Sequence, residues 1–141
     1  LQTTSVSQNR KKWERELAAD NTRREAQAVQ DAAETLHENF VKRAFQTDSI
    51  CQLATASPHP VLVCGDFNSL PSSYTYHRFS ESLKDGFKTG GHGYMYTYRY
   101  GKRMLRIDYA FHSPELECTD YYSPNLDLCS DHNPVIFTVK Y

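Results

Sequence analysis

The feature that most constrains the fold is a change of residue pattern at Pro58-His59-Pro60. Residues from about 7 to 57 have the spacing of helices, whereas residues from about 60 to the end form short apolar and aromatic runs separated by Gly, Pro and Ser. The prolines end the helical region, because proline disfavours helix at the residue before it. Helices followed by closely spaced strands predict an α/β layered domain, with antiparallel pairing where the loops are short.

Two helices are predicted before residue 58. The segment 7–20, SQNRKKWERELAAD, is strongly charged and is most simply a solvated helix. Thr22 and Glu25 have the spacing of a capping box, which marks the start of a second helix. Its apolar residues recur at three and four positions and predict one buried stripe: Ala26, Val29, Ala33, Leu36, Phe40, Val41 and Ala44.

The second region predicts five strands and one short helix. PVLVC (60–64) is expected to be a buried strand, and SSYTYHRFSES (72–82) a short helix. YMYTYRY (94–100) and RMLRIDYAFH (103–112) are predicted strands joined across Gly101-Lys102. A strand near ELECTDYYS and a final alternating strand, PVIFTVKY, complete the set.

Composition excludes several classes of protein. The 16 Lys and Arg are balanced by 17 Asp and Glu over 141 residues, so a general basic surface for nucleic acid is absent and any such binding must be local. No apolar run in this sequence approaches the length that spans a bilayer, and the first residues are polar. Four cysteines without a CxxC pair are expected to be free thiols: Cys51, Cys64, Cys118 and Cys129.

The stretch GDFNS ends the predicted strand PVLVC with two polar side chains. Alternation along an extended backbone puts Asp66 and Asn68 on the same side, with Phe67 opposite. Ligands usually bind at strand ends in α/β sheets. The alternative is an Asx-type turn, in which both side chains bond to the local backbone.

Two further stretches carry candidate polar groups. In RIDYAF, Asp108 lies inside a strand, where it either pairs with an arginine such as Arg106 or orients the imidazole of His132. In SDHNP, Asp131 and His132 precede the last strand, either as a plain turn or as a carboxylate and an imidazole aimed at one point.

GDFNS, RIDYAF and SDHNP, in this order and spacing, resemble the endonuclease/exonuclease/phosphatase superfamily, whose members are deoxyribonuclease I-like. The resemblance covers about residues 60 to 141. It implies a four-layer α/β sandwich, with two mixed sheets face to face and helices packed outside. It also implies hydrolysis of a phosphate ester by in-line attack of water, with Mg²⁺ or Mn²⁺ as the cofactor.

The resemblance also implies a role for each motif residue. Asp66 would bind the metal ion and position or deprotonate the attacking water, and Asn68 would bond to a phosphate oxygen. His132, held by Asp108, would contact the phosphate or transfer a proton. Asp131 would bind Mg²⁺ directly or through water. Whether Asp66 or His132 is the general base stays open.

One part of the family pattern has no counterpart here, namely the first half with its metal-binding Glu. Residues 1–141 are therefore expected to be the C-terminal portion of one such domain, with 1–57 mainly helical and 60–141 carrying the motifs. We expect this portion to be inactive by itself, and its cellular location is not indicated. The alternative function is a domain of the same fold that binds phosphorylated ligands without catalysis.

The segment YMYTYRYGKRMLR concentrates tyrosines and basic residues in one predicted hairpin. Tyr98 and Arg99 are candidate substrate contacts, because aromatic rings stack on bases and guanidinium groups bind phosphates. The alternative is ordinary strand alternation, with tyrosines inward and arginines outward. The substrate classes left open are nucleic acid, a phospholipid head group and a small phosphodiester.

The apolar residues of the predicted strands indicate a sheet face that this chain alone leaves uncovered. Val61, Leu62 and Val63 run continuously, and few polar positions interrupt residues 107–111. Both faces of such a sheet are expected to be buried, and monomers rarely leave large apolar patches open. We therefore expect this face to contact the missing N-terminal half of the domain or a second copy of the chain.

Overall fold

A computed structural model describes residues 4–100, 104–126 and 129–141, with side chains from residue 10 onward. The chain divides into an N-terminal unit, Leu1–Lys42, and a C-terminal unit, Arg43–Tyr141. The first helix, α1, runs over Thr4–Ala56 and contributes to both units.

The N-terminal unit is helical throughout its described residues. The predicted helix start at Thr22 is wrong, because the Thr22 hydroxyl donates to the carbonyl of Ala18, 2.9 Å away, instead of capping a new helix. No Pro or Gly lies between the two predicted helices to separate them. Exposed ion pairs four residues apart stabilise such a helix, for example Arg10 with Glu14 at 3.0 Å.

The apolar stripe predicted for this helix is exposed in the N-terminal unit. Val29, Leu36 and Val41 are 70%, 59% and 55% exposed. The prediction of burial is wrong here because the described residues of this unit form one helix, with no second element inside the unit to pack against.

The described residues of the C-terminal unit form the last turns of α1, five strands and two short helices. In chain order these are β1 (Leu62–Asp66), α2 (Tyr74–Ser80), β2 (Lys84–Asp85), α3 (Gly86–Gly90), β3 (Asp108–His112), β4 (Glu117–Tyr122) and β5 (Ile136–Lys140).

Most predicted elements of this unit are confirmed. Helix α2 begins where Ser73 caps it, since the Ser73 hydroxyl accepts from the amide of Tyr76. Strands β3, β4 and β5 lie within their predicted segments, whereas β1 continues two residues beyond PVLVC, to Asp66, and is largely exposed and not buried. Residues 94–100 form no strand, although Tyr98 makes isolated bridges to Leu105 and to His132, and the predicted turn at 101–102 lies outside the described residues. Strand β2 and helix α3 were not predicted.

The strands form two antiparallel sheets, of order β1-β3-β2 and β4-β5. Parallel pairing among the described residues is confined to one isolated bridge, Gly91 with Tyr121, so the mixed sheet implied by the resemblance is not seen here. Strand β1 is the edge of its sheet, which accounts for its exposure.

Strand β3 is covered on both faces. Tyr109 and Phe111 pack into a cluster with α2 and the end of α1, where Phe79 and Phe111 stack with ring centroids 5.3 Å apart. Ala110, between them in sequence, packs on the other face with Tyr121 of β4. The uncovered apolar face expected along residues 107–111 is therefore absent from this strand, and exposure is greatest along β1.

A buried ion pair anchors the loop before β3. Two nitrogens of the Arg106 guanidinium donate to the carboxylate of Asp85 at 3.1 and 2.8 Å, and the group lies 4.6 Å from the ring of Tyr109. Burial opposes the charge of Arg106, but the bonds and charge of Asp85 outweigh it and raise the pKa of the guanidinium. Arg106 is therefore paired with Asp85 and not with Asp108.

None of the described helices has a stretch that is both long and apolar enough to span a membrane.

Candidate active site

Asp66 and Asp108 meet at the end of the β1–β3 ladder. They are direct register partners on two antiparallel strands, so their side chains emerge on the same face of the sheet. The side chain of Asp66 is 37% exposed and that of Asp108 is 17% exposed. Two facing carboxylates repel each other unless a cation or a hydrogen-bond donor lies between them.

The residues after β1 form a tight turn. The amide nitrogen of Asn68 donates to Asp66 Oδ1 at 2.8 Å, and the Asn68 side-chain nitrogen donates to Asp66 Oδ2 at 2.9 Å. Asn68 has φ of 45°, a left-handed conformation that asparagine tolerates better than most residues. This is the Asx-type turn left open by the sequence, and it also places the amide beside the carboxylate. Arg43 supports the turn by donating to the Asn68 carbonyl at 3.1 Å.

Asp108 orients the imidazole of His132. His132 Nδ1 lies 2.8 Å from Asp108 Oδ2, which places the proton on Nδ1 when the carboxylate accepts. The other ring nitrogen, Nε2, lies 4.0 Å from Asp66 Oδ2. The hydrogen bond to Asp108 raises the pKa of His132, partial burial opposes it, and the charges of Asp108, Asp66 and Asp131 raise it further.

Tyr98 and Arg99 contact the loop that carries His132. The ring of Tyr98 lies edge-on to the imidazole of His132, with centroids 5.3 Å apart. The guanidinium of Arg99 donates to the carbonyl of Ser130 at 2.9 Å, and its amide donates to the carbonyl of Asp131 at 2.9 Å. Both predicted substrate residues therefore lie at the candidate site and help to hold this loop.

The residues that the structure describes contain one group with metal-binding potential here. Asp66, Asp108 and His132 each offer a ligand atom, and these atoms lie within 4.8 Å of one another. The predicted metal ligand Asp131 is exposed and lies outside this group, although its charge reaches His132.

A cavity of about 380 Å³ opens beside the group. Its walls include Cys64, Ala110, Val135 and Phe137. Asn133, which also lines it, is 3% exposed, and neither polar atom of its side chain has a hydrogen-bond partner among the described residues.

Sequence reasoning missed one residue that connects the site, Thr97. Its hydroxyl accepts from the amides of Ile107 and Asp108, and its side chain is completely buried. In the sequence it stands among alternating tyrosines, and nothing in that pattern distinguishes it from an ordinary strand threonine.

Known proteins show the same arrangement of elements. A solved endonuclease/exonuclease/phosphatase from Bacteroides vulgatus is 26% identical, with a TM-score of 0.61, over 70% of this chain and 43% of that one. The human Nocturnin catalytic domain, solved with a bound sulfate anion, is 25% identical, with a TM-score of 0.51, over 68% of this chain and 41% of that one.

A third similar structure is mannosyl-6-phosphatase from Bacteroides thetaiotaomicron. It is 24% identical, with a TM-score of 0.52, over 70% of this chain and 44% of that one, and supports the fold alone. The chain thus spans less than half the length of these three structures. No protein with a curated description matches it.

These similarities confirm the α/β class and the deoxyribonuclease I-like fold, while the complete four-layer sandwich stays a prediction. The family consists of hydrolases that act on phosphate esters and generally use divalent metal ions. Its sequence model, described as Endonuclease/Exonuclease/phosphatase family, matches residues 17–132, which is most of the chain. The chain belongs to the endonuclease/exonuclease/phosphatase family.

Proposed function

We propose that this chain carries the water-activating and phosphate-binding residues of a Mg²⁺-dependent hydrolase of phosphate esters, of the phosphodiesterase or nuclease type. The observation that carries the proposal is the convergence of Asp66, Asp108 and His132, with the Asn68 amide bonded to Asp66. A water-activating group, a phosphate donor and an oriented imidazole are the parts that such a reaction needs.

The donor set fits a hard divalent ion. Asp66 would hold Mg²⁺ or Mn²⁺ through its carboxylate, and Asp131 would reach the ion through water, since Mg²⁺ keeps part of its hydration shell. Mn²⁺ is compatible because it accepts carboxylate and water ligands. When bound, the ion would neutralise charge on the phosphate oxygens.

Asp66 would orient the attacking water and accept its proton. Its two oxygens already accept from Asn68, which fixes the direction of the carboxylate. Each carboxylate oxygen has a second lone pair, so a water molecule can still donate to it. The Asn68 side-chain nitrogen keeps a second hydrogen, which would donate to a phosphate oxygen as negative charge develops on it.

His132 would act on the phosphate with Nε2. Asp108 occupies Nδ1 at 2.8 Å, so the proton-transfer or phosphate-binding function falls to the opposite nitrogen. The raised pKa of His132 favours a protonated ring, which would donate to a phosphate oxygen or to the leaving group.

The substrate is proposed to be a phosphate ester with a group that Tyr98 and Arg99 can contact: nucleic acid, a phospholipid head group or a small phosphodiester. The formal net charge of −1 favours the smaller substrates over long nucleic acid. We also propose that residues 1–141 form the C-terminal portion of one domain, and that the N-terminal half of that domain or a second copy of this chain contacts the exposed edge strand β1.

The proposal is tested by ion binding and by hydrolysis. Mn²⁺ binding to the purified chain, measured by electron paramagnetic resonance with Mg²⁺ as competitor, should be about ten- to a hundredfold weaker in Asp66→Asn. Asp120→Asn, which changes an exposed carboxylate on β4, is the matched control and should bind like the wild type. Equal Mn²⁺ binding by Asp66→Asn and the wild type would overturn the metal site.

Hydrolysis is measured with bis(p-nitrophenyl) phosphate and Mg²⁺. We expect little or no turnover by this chain alone, because it spans 43% of the solved Bacteroides vulgatus structure. Any turnover should fall in His132→Gln and be retained in His92→Gln, an exposed histidine. The alternative of a binding domain would be supported if a longer protein that contains the rest of the domain bound the ion and phosphate without any turnover.

A further inference from the structure

Thr97 is a buried polar residue beside the candidate site. It is 0% exposed, and its hydroxyl oxygen accepts from the amide of Ile107 at 3.0 Å and from that of Asp108 at 3.1 Å. A hydroxyl oxygen has two acceptor positions, so these two amides use both. These two amides lie at the start of β3, and the second belongs to Asp108, whose carboxylate orients His132.

The backbone of Thr97 is bonded on two further sides. Its carbonyl accepts from the amide of Asn133 at 2.7 Å, and its own amide donates to the carbonyl of Leu105 at 2.9 Å. Asn133 directly follows His132 in the chain. Thr97 is therefore bonded to Asp108 itself and to the immediate neighbour of His132.

We propose that Thr97 is a positioning residue that sets the Asp108–His132 hydrogen bond. The two members of that pair lie 24 residues apart, on β3 and on the loop before β5. Thr97 joins these two segments through bonds from one buried residue, so a shift of either segment must break or stretch a bond to it. The effect of Thr97 on catalysis rests on the proposed function, whereas its role in holding Asp108 and His132 does not.

The hydroxyl is the essential part of this arrangement. A valine at position 97 would have nearly the same shape but no acceptor, and the amides of Ile107 and Asp108 would lose their partner in a buried place. Asp108 would then move toward water or another acceptor and away from His132. A serine would keep the acceptor and lose only a methyl group.

The experiment compares Thr97→Val, Thr97→Ser and Thr75→Val in the full chain. Thr75 is the matched control, a buried threonine whose hydroxyl bonds to Thr47. The first readout is the low-field Nδ1 proton of His132 in the NMR spectrum. The second is Mn²⁺ affinity, which depends on how the site carboxylates are held.

We expect Thr97→Val to lose the low-field proton and to bind Mn²⁺ about tenfold more weakly, as other changes behind a metal site do. Thr97→Ser and Thr75→Val should keep both. In any preparation that turns over substrate, Thr97→Val should lower kcat more than it changes KM. Retention of the proton and of wild-type Mn²⁺ affinity in Thr97→Val would overturn the proposal. Loss of both in Thr97→Ser, or a loss in Thr75→Val as large as that in Thr97→Val, would also overturn it.

A measurement on the unmodified chain covers the case in which Thr97→Val does not fold. The amides of Ile107, Asp108 and Asn133 should exchange with solvent as slowly as the ladder amides of β3, and rapid exchange of the Asp108 amide would overturn the proposal. Failure of the proposed function would give a different experimental result. If the wild type binds no ion and hydrolyses nothing while the His132 proton still responds to the hydroxyl of Thr97, the positioning role stands and the enzyme assignment falls.

Discussion

Asp66 and Asp108 are directly opposed at the end of the β1–β3 ladder, and the imidazole of His132 lies 2.8 Å from Asp108 and 4.0 Å from Asp66. Like charges at directly opposed positions destabilise an antiparallel pair. The chain accepts this cost at the candidate site, where Asn68 and His132 each bond to one of the two carboxylates. A bound cation would relieve the remaining repulsion.

Divalent ions are therefore expected to stabilise the C-terminal unit. At a free Mn²⁺ concentration of about ten times the dissociation constant, the free energy of unfolding should rise by about 1.4 kcal/mol, and a chelator should reverse the gain. Urea unfolding with and without the ion measures it. Asp66→Asn should abolish most of the increment, and an equal increment in the double variant Asp66→Asn/Asp108→Asn would contradict the site.

The pKa of His132 should depend on Asp108. The hydrogen bond and the nearby charges raise it above the ordinary 6.5 against partial burial, so the folded state favours the protonated ring. The resulting stabilisation is fully present below the unfolded pKa, near 6.5, and is lost as the pH rises through the folded pKa.

Asp108→Asn should lower the pKa of His132, as followed by the imidazole proton shift during an NMR titration without metal. The stability difference between this variant and the wild type should shrink as the pH rises past the wild-type pKa. Asp120→Asn is the control and should leave the titration of His132 unchanged. An unaltered titration in Asp108→Asn would show that other groups hold the ring.

The Arg106–Asp85 pair should be costly to break. Arg106→Met leaves the buried carboxylate of Asp85 without its cation and should lower the free energy of unfolding by about 3–5 kcal/mol. Near-ultraviolet circular dichroism during urea unfolding measures this loss. Lys84→Met, at an exposed position on β2, should change it by less than about 0.5 kcal/mol. Loss of less than about 1 kcal/mol in Arg106→Met would mean that the pair is dispensable.

The edge strand β1 should promote association. Leu62 is 46% exposed on a strand with one unpaired side, which is a ready surface for another chain. Light scattering should give a mass that rises with concentration above 16.3 kDa. Leu62→Lys should reduce this rise, whereas Ser72→Lys, an exposed position outside the strands, should not. A monodisperse monomer across a wide concentration range would rule out the contact.

Local chemistry made much of the candidate site predictable. GDFNS left two local alternatives, strand alternation and an Asx-type turn, and it is the turn, with Asn68 left-handed, that places the Asn68 amide beside Asp66. The prolines that end α1 and the serine that caps α2 are also local signals in the sequence. The pairing of Asp108 with His132 was predictable in a different way, from three motifs that occur together, and the structure contains that contact at 2.8 Å.

Contacts between distant segments decided the rest. Asp108 had two candidate partners, Arg106 and His132, and the fold instead paired Arg106 with Asp85 of β2, a strand too short to recognise from its residues. Asp131 neighbours His132 in sequence, yet its side chain lies outside the group of possible ligands, because side-chain direction in a loop depends on what the loop packs against. By itself the sequence determined which residue types stand at strand ends. Only the tertiary structure decided which of them meet, because a buried hydroxyl such as that of Thr97 acquires its partners when chain segments far apart in sequence come together.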